Sequence, residues 1–216
     1  MAYILAFYET PTRLIRKADH VGLNFSQAII NGLITIHWTP PLEQALDILA
    51  AELLALVETQ QIRRLVIDGM NTFQQATHFP QRLARFYTAL MGEIRRRGVT
   101  TLWIVETPDL FGASIEWPVV GAASIAENII FLRYVDVQAE LVRLLSILKV
   151  RDSHHDTAIR TFQISEAGIQ LGARFTMPGA VLQSLFPPAT HHISLSPDTS
   201  THDDKSTPEY QWPRSW

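Results

Sequence analysis

The amino-acid sequence predicts an α/β fold, with a mostly parallel sheet flanked by helices and with antiparallel strands towards the C-terminal end. Two observations support this. Short apolar runs such as Leu65-Val66-Ile67 alternate with longer segments whose apolar residues recur at helical spacing. After about residue 134 the apolar runs lie closer together and are joined by short turns such as Glu166-Ala167-Gly168, a pattern typical of antiparallel strands.

Strands and helices are predicted to alternate along the first part of the chain, which favours a parallel sheet covered by helices on both faces. The strands of this sheet are predicted at residues 3–7, 33–37, 65–67, 100–105 and 128–134. Helices are predicted from Thr10 to about Val21, at 27–31, from Pro40 onward and at 81–97. Thr10-Pro11 is typical of a helix start, and Gly98 of a helix end. The antiparallel strands 144–150, 160–164 and 169–173 are expected to extend the same sheet.

Length and composition limit the class of protein. With 216 residues and 47% hydrophobic composition, we expect a folded domain over residues 1–175, a C-terminal extension over 176–186 and a disordered tail over 187–216. The net charge of −3, without an extended basic block, does not favour a nucleic acid or an anionic membrane as partner. Cysteine is absent, which excludes disulfides and thiolate metal sites. No apolar run approaches the ~18 residues of a membrane span, and we expect a soluble, cytoplasmic protein.

Acidic side chains follow three of the predicted parallel strands. These residues are Glu9, Asp68 and Glu106. Because ligands bind beyond the carboxyl ends of parallel strands, all three are expected at one rim of the sheet. Such a rim can order Mg²⁺ through water and activate an attacking water for phosphoryl transfer. The alternative is that each acid is a turn residue that binds its own backbone.

A basic pair lies near the end of a later predicted strand. Lys149 and Arg151 are two residues apart and are expected to share one face of that strand. Two fixed cations on one face suit a polyphosphate, although a solvated strand end is the alternative. The neighbouring His154-His155-Asp156 is not favoured as a metal site, because adjacent residues on a strand point to opposite faces.

Five segments in this order resemble KaiC-like ATPases of the RecA superfamily over residues 3–173: AFYETPTRLIRKADHVGLNF, RRLVIDGMNTF, RRRGVTTLWIVET, SIAENIIFLRYV and SILKVRDSHHDTAIRTFQISEAGI. The resemblance implies a RecA-like core that binds ATP and Mg²⁺ at the subunit interfaces of a homo-oligomer, or of a hetero-oligomer with KaiC-like subunits. Asp68 matches the Walker B aspartate, which holds Mg²⁺ through water. Glu9 matches the second of the paired catalytic glutamates, and Glu106 the acid after the GVTT strand. Lys149 and Arg151 match the basic pair that reaches a neighbouring subunit's nucleotide.

The sequence also departs from this family. The P-loop motif G-x-x-x-x-G-K-[ST] is absent, since none of the ten glycines is followed by lysine. In the family, that loop precedes the segment that Tyr3 begins. We therefore expect the chain to start after the P-loop strand and helix, which leaves a gap or a repaired edge in the sheet. Tyr8 stands where the first paired glutamate is expected, and it cannot act as a general base near neutral pH. Asp152 and Ala123 replace a glycine and a phosphorylated serine of the clock proteins.

Three functions remain open from the sequence. The chain could be the C-terminal part of a KaiC-like ATPase domain, inactive alone, in which case an in-frame P-loop is expected upstream of the Met1 codon. It could instead be a non-catalytic pseudo-ATPase module that assembles with an intact KaiC-like partner. A generic α/β domain for Mg²⁺-dependent phosphate chemistry has no phosphate cradle to support it. For the isolated chain we expect weak ATP binding or none.

Overall fold

The computed structural model describes residues 1–40, 46–75, 77, 79–107, 122–137 and 139–176. Its strands are β1 (Ala2–Ala6), β2 (Ile34–Trp38), β3 (Arg64–Asp68), β4 (Thr100–Ile104), β5 (Asn128–Val137), β6 (Glu140–Val150), β7 (Arg160–Ser165) and β8 (Gly168–Arg174). Its helices are α1 (Pro11–His20), α2 (Phe25–Ile30), α3 (Leu46–Thr59), α4 (Asn71–Gln75), α5 (Leu83–Arg96) and α6 (Ala122–Ile125), and a 3₁₀ turn covers Pro80–Arg82. The α/β fold class with antiparallel C-terminal strands is therefore confirmed.

The first sheet is parallel throughout and has the strand order β2-β1-β3-β4. Its strands agree with the first four predicted from the apolar runs, to within one or two residues at each end. The first helix starts at Pro11 with Thr10 in an extended conformation before it, as the Thr-Pro pair predicts. The predicted start of α3 at Pro40-Pro41 lies partly outside the described residues.

One face of this sheet carries the main hydrophobic core. The odd-numbered residues of β1 and β3 point to this face and are almost fully buried, as are apolar residues of α3 and α5. The core is rich in aromatic contacts, and the ring of Tyr87 on α5 packs edge-on against both Phe73 and Trp103. Helices α3 and α5 cover the face because their apolar residues recur every three or four positions.

The opposite face is covered unevenly. Ile4 and Ala6 on β1 are buried, but Leu102 and Ile104 on the outer strand β4 are 57% and 40% exposed. Helices α1 and α2 contact β2, at the other edge of the sheet. The expectation of helical cover over both faces is thus met on one face and incomplete on the other, where the described residues leave β4 open.

The strands after β4 form a second sheet instead of extending the first. This sheet is antiparallel with the order β5-β6-β7-β8, so β5 is not the fifth parallel strand that the sequence predicted. The physical reason is local, because β5 and β6 pair along nearly their whole length as a hairpin. Among the described strands, β4 pairs only with β3, and β5 only with β6. Within the described residues the outer edge of β4 is therefore without a strand partner, and the gap expected from the sequence stays a prediction.

Contacts link the second sheet to the first body. A side chain at Gly22 would meet the carbonyl of Glu166, so the turn between β7 and β8 packs against the end of α1. Arg95 of α5 donates a hydrogen bond to the carbonyl of Ile125 and forms an ion pair with Glu127, just before β5. Within the described residues, no helix is both long and apolar enough to span a membrane. The predicted boundaries beyond residue 176 lie outside the described residues.

Candidate functional site: an acidic rim at the ends of the parallel strands

The three acids lie beyond the carboxyl ends of neighbouring parallel strands. Ala6, Asp68 and Ile104 are aligned across β1, β3 and β4 and share the partly open face of the sheet. Glu9 follows β1 and Glu106 follows β4, so both flank Asp68. We call Glu9, Asp68 and Glu106 the acidic rim. The sequence located all three at this edge because they end apolar strand runs.

The electrostatics show that the acids of the rim influence one another. Asp68 is half-buried, and burial is the largest cause that raises the pKa of its carboxyl above the ordinary value. The negative charges of Glu9 and then Glu106 raise that pKa further. A bound cation would remove this repulsion, because an opposite charge favours the ionised carboxylate.

The backbone after Asp68 is held in a tight turn. Gly69 has a φ of +99°, a conformation that glycine adopts readily. A Cβ at this residue would lie 2.7 Å from a ring carbon of Tyr8, so the aromatic ring occupies the space next to Gly69. The N–H of Met70 donates to the carbonyl of Ile104 at 3.0 Å, which ties the turn to the end of β4.

Two polar atoms beside the rim have no hydrogen-bond partner among the described residues. The side-chain amide of Asn71 donates to the carbonyl of Glu106 at 3.1 Å. Its oxygen Oδ1 and the hydroxyl of the buried Thr72 find no hydrogen-bond partner in the described part of the chain. Buried polar atoms without partners are uncommon and often mark a site for water or an ion. Sequence analysis did not predict these two residues as part of the site, although both directly follow the Asp68-Gly69-Met70 turn.

These residues fit a hydrated Mg²⁺ held by one carboxylate. The described residues contain no group of three or more His, Cys, Asp or Glu side chains close enough to hold a metal together. Mg²⁺ keeps several of its waters and commonly takes only one or two protein carboxylates. Asp68 would hold such an ion through water, and Asn71 and Thr72 supply nearby oxygens that can accept or donate to those waters.

Glu9 is held by cations of α1. The Lys17 ammonium donates a hydrogen bond to Oε1 of Glu9, and Nε of Arg13 lies 3.9 Å from the same oxygen. Arg13 and Lys17 are four and eight residues beyond Glu9, so both lie on the helix face that looks back at it. Sequence reasoning missed both cations, although their helical spacing from Glu9 was visible.

The basic pair does not lie on one strand as predicted, since β6 ends at Val150 and Arg151 begins the turn that follows. Both side chains nevertheless reach one segment of their own chain. Lys149 donates to the carbonyl of Ala126 at 2.8 Å, and Arg151 donates to the carbonyl of Ser124 at 3.0 Å. Cations at the last carbonyls of a helix are favourable, so the pair stabilises the end of α6.

Comparisons with known proteins show the family to which the chain belongs. The family model described as "ATPase: KaiC" matches residues 2–174. The chain belongs to the KaiC ATPase family. It is 28% identical over 173 residues to the circadian clock protein KaiC3 of Synechocystis sp., and the aligned region covers 80% of this chain and 34% of that protein. It is 26% identical over 209 residues to the circadian clock oscillator protein KaiC of Synechococcus elongatus, and that alignment covers 95% of this chain and 37% of that protein. The chain thus spans about a third of the length of these KaiC relatives.

Proposed function

We propose that this KaiC-family chain supplies the Walker B half of an ATP site. The observation that carries the proposal is the half-buried Asp68 at the end of an interior parallel strand, with Glu9 and Glu106 beside it. Asp68 orients Mg²⁺ through water. Glu9 polarises the attacking water, and Glu106 adds negative charge at the same rim. Magnesium, when bound with ATP, neutralises the charge that develops during phosphoryl transfer.

The phosphate grip belongs to the complete domain. The 216 residues contain no P-loop motif, and the family places that loop after an interior strand of the sheet. Among the described strands the outer edge of β4 has no partner, and Leu102 and Ile104 on β4 are exposed, which supports a position for that strand and its helix beside β4. ATP and Mg²⁺ are therefore cofactors of the complete domain, and this chain is inactive alone.

A neighbouring subunit completes the proposed site. Lys149 and Arg151 act in trans on the γ-phosphate held by the next subunit of a homo-oligomer, or of a hetero-oligomer with KaiC-like subunits. In the isolated chain both cations donate to backbone carbonyls of the same chain, at Ala126 and Ser124. A trans role requires them to exchange these carbonyls for phosphate oxygens, which are stronger partners because they are charged.

A second candidate is a non-catalytic module that joins a ring of intact KaiC-like subunits. Tyr8 favours this function, because it replaces the first expected glutamate and packs its ring against Gly69 beside Asp68. A phenol hydroxyl lacks the carboxylate that would accept the proton of an attacking water. In this reading Lys149 and Arg151 still serve a partner's nucleotide, while the rim of this chain does no chemistry.

Calorimetry with Mg-ATP tests the proposal on two proteins. One is this chain, and the other is the chain extended upstream through any in-frame P-loop. We expect binding only in the extended protein, and we expect Asp68→Asn to weaken it. Binding by the 216-residue chain tighter than about 10 µM, which corresponds to about −7 kcal/mol, and lost in Asp68→Asn, would refute the claim of inactivity. If no P-loop extension is encoded, or the extended protein does not bind, the interaction module is the better description.

A further inference from the structure

Lys17 supplies a positive charge inside the acidic rim. Its ammonium donates to Oε1 of Glu9, and the Lys17 side chain retains 58% of its surface exposed. The same charge acts on Asp68, because Lys17 lowers the pKa of that carboxyl while Glu9 and Glu106 raise it. The ammonium therefore binds one acid of the rim directly and acts on a second through its charge.

The rim has a second feature that suits a hydrated ligand. Thr72, which is only 3% exposed, has a hydroxyl without a hydrogen-bond partner in the described part of the chain. That hydroxyl lies 3.4 Å from the point where a Cβ on Gly69 would sit, directly after Asp68. Lys17 binds Glu9, whereas the Thr72 hydroxyl has no partner among the described residues. A hydrated cation would supply both positive charge and a water for this hydroxyl, whereas Lys17 supplies only the charge.

We propose that Lys17 is a built-in counterion that competes with the divalent cation for the acidic rim and holds Glu9 on α1 until that cation binds. The inference rests on the proposed role of Asp68 and names the regulation of the same site. The ion pair is exposed, so it is weak enough to exchange. When a divalent cation occupies the rim, its charge repels the ammonium, and Glu9 is released to turn towards the metal-bound water.

The consequence is measurable as metal affinity. Removal of the Lys17 charge relieves repulsion of the incoming cation and frees a second carboxylate, so both effects tighten binding. In a water-like dielectric, as expected for an exposed lysine, a nearby unit charge changes affinity by about three- to tenfold. The gain is expected to shrink as ionic strength rises, because salt screens charges in exposed positions.

The experiment is a Mn²⁺ titration of the full chain, in which electron paramagnetic resonance measures the free ion. The variants are Lys17→Met, Lys17→Gln and Lys17→Arg, each alone and with Asp68→Asn. Arg16→Met is the matched control, since it removes one positive charge from the adjacent position of α1. Circular dichroism and urea unfolding check that each variant is folded.

Lys17→Met and Lys17→Gln are expected to bind Mn²⁺ about three- to tenfold more tightly than the unmodified chain, whereas Lys17→Arg and Arg16→Met change little. The gain should disappear in the Asp68→Asn background. If Asp68→Asn weakens Mn²⁺ binding but the Lys17 variants match the unmodified chain, the counterion role is wrong and the role of Asp68 stands. If Asp68→Asn leaves Mn²⁺ binding unchanged in every background, Asp68 holds no metal in this chain and the counterion role is overturned, while the Mg-ATP titration of the extended protein decides the role of Asp68 in the complete domain.

Discussion

Two aliphatic residues on neighbouring strands test whether the face beside Asp68 is open. Ile67 on β3 points into the main core and is 0% exposed, whereas Leu102 on β4 points to the opposite face and is 57% exposed. Ile67→Ala should reduce the free energy of unfolding by about 2–5 kcal/mol, because a fully buried side chain leaves a cavity. Full burial of a leucine stabilises by ~1.5–3 kcal/mol. Since less than half of Leu102 is buried, Leu102→Ala should cost about 1 kcal/mol or less.

Urea unfolding followed by circular dichroism measures both variants against the unmodified chain. The dependence of the unfolding free energy on urea should stay the same, so that the midpoint reports stability directly. An equal loss for Leu102→Ala and Ile67→Ala would refute the reasoning, because it would mean that the β4 face is as well packed as the core. In a protein extended through a P-loop, we expect the cost of Leu102→Ala to rise towards that of Ile67→Ala.

Three further predictions concern the rim and the contact between α1 and α2. Asp68→Asn should raise the free energy of unfolding near pH 7, because burial and neighbouring acids raise the pKa of Asp68. The gain should fade as the pH drops through that raised pKa towards the ordinary value, as urea unfolding at a series of pH values from 7.5 downward would show. Gly69→Ala should lower the thermal midpoint more than Gly32→Ala. Both glycines have positive φ, but only a Cβ on Gly69 would collide with Tyr8. Asp19→Ala should speed amide hydrogen exchange at the start of α2, because Asp19 accepts the N–H groups of Phe25 and Ser26.

Much of the fold follows from local patterns in the sequence. Helices α3 and α5 were predicted because their apolar residues repeat at helical spacing, and the same residues form the core. The four parallel strands were predicted because each is a short apolar run between helices. The pairing of β5 could not be predicted in the same way, since an apolar run does not specify which strand lies beside it. The hairpin with β6 determines that partner.

The candidate site is likewise only partly predictable from the sequence. The acids Glu9, Asp68 and Glu106 could be predicted, because a strand end fixes the position of its side chain relative to neighbouring strands. The partners of these acids depend on where separate elements pack. The spacing of Lys17 from Glu9 is visible in the sequence, but the contact also depends on where α1 begins after β1. Asn71 reaches the carbonyl of Glu106 from the turn after β3 to the segment after β4, and this contact does not follow from sequence spacing.

The open edge of the sheet and the acidic rim lie at the same place. Asp68 ends β3, and the outer edge of its neighbour β4 has no partner strand in the described part of the chain. The exposed Leu102 and Ile104 lie on the face that Asp68 shares. A strand that pairs with β4 would remove apolar surface from water and satisfy backbone N–H and C=O groups of that edge. The same strand would bring its following loop to the carboxyl end of the sheet, where Asp68 lies. In the proposed complete domain, completion of the sheet and of the nucleotide site would therefore be one folding step, so mutations that weaken the β4 edge are expected to weaken nucleotide binding as well.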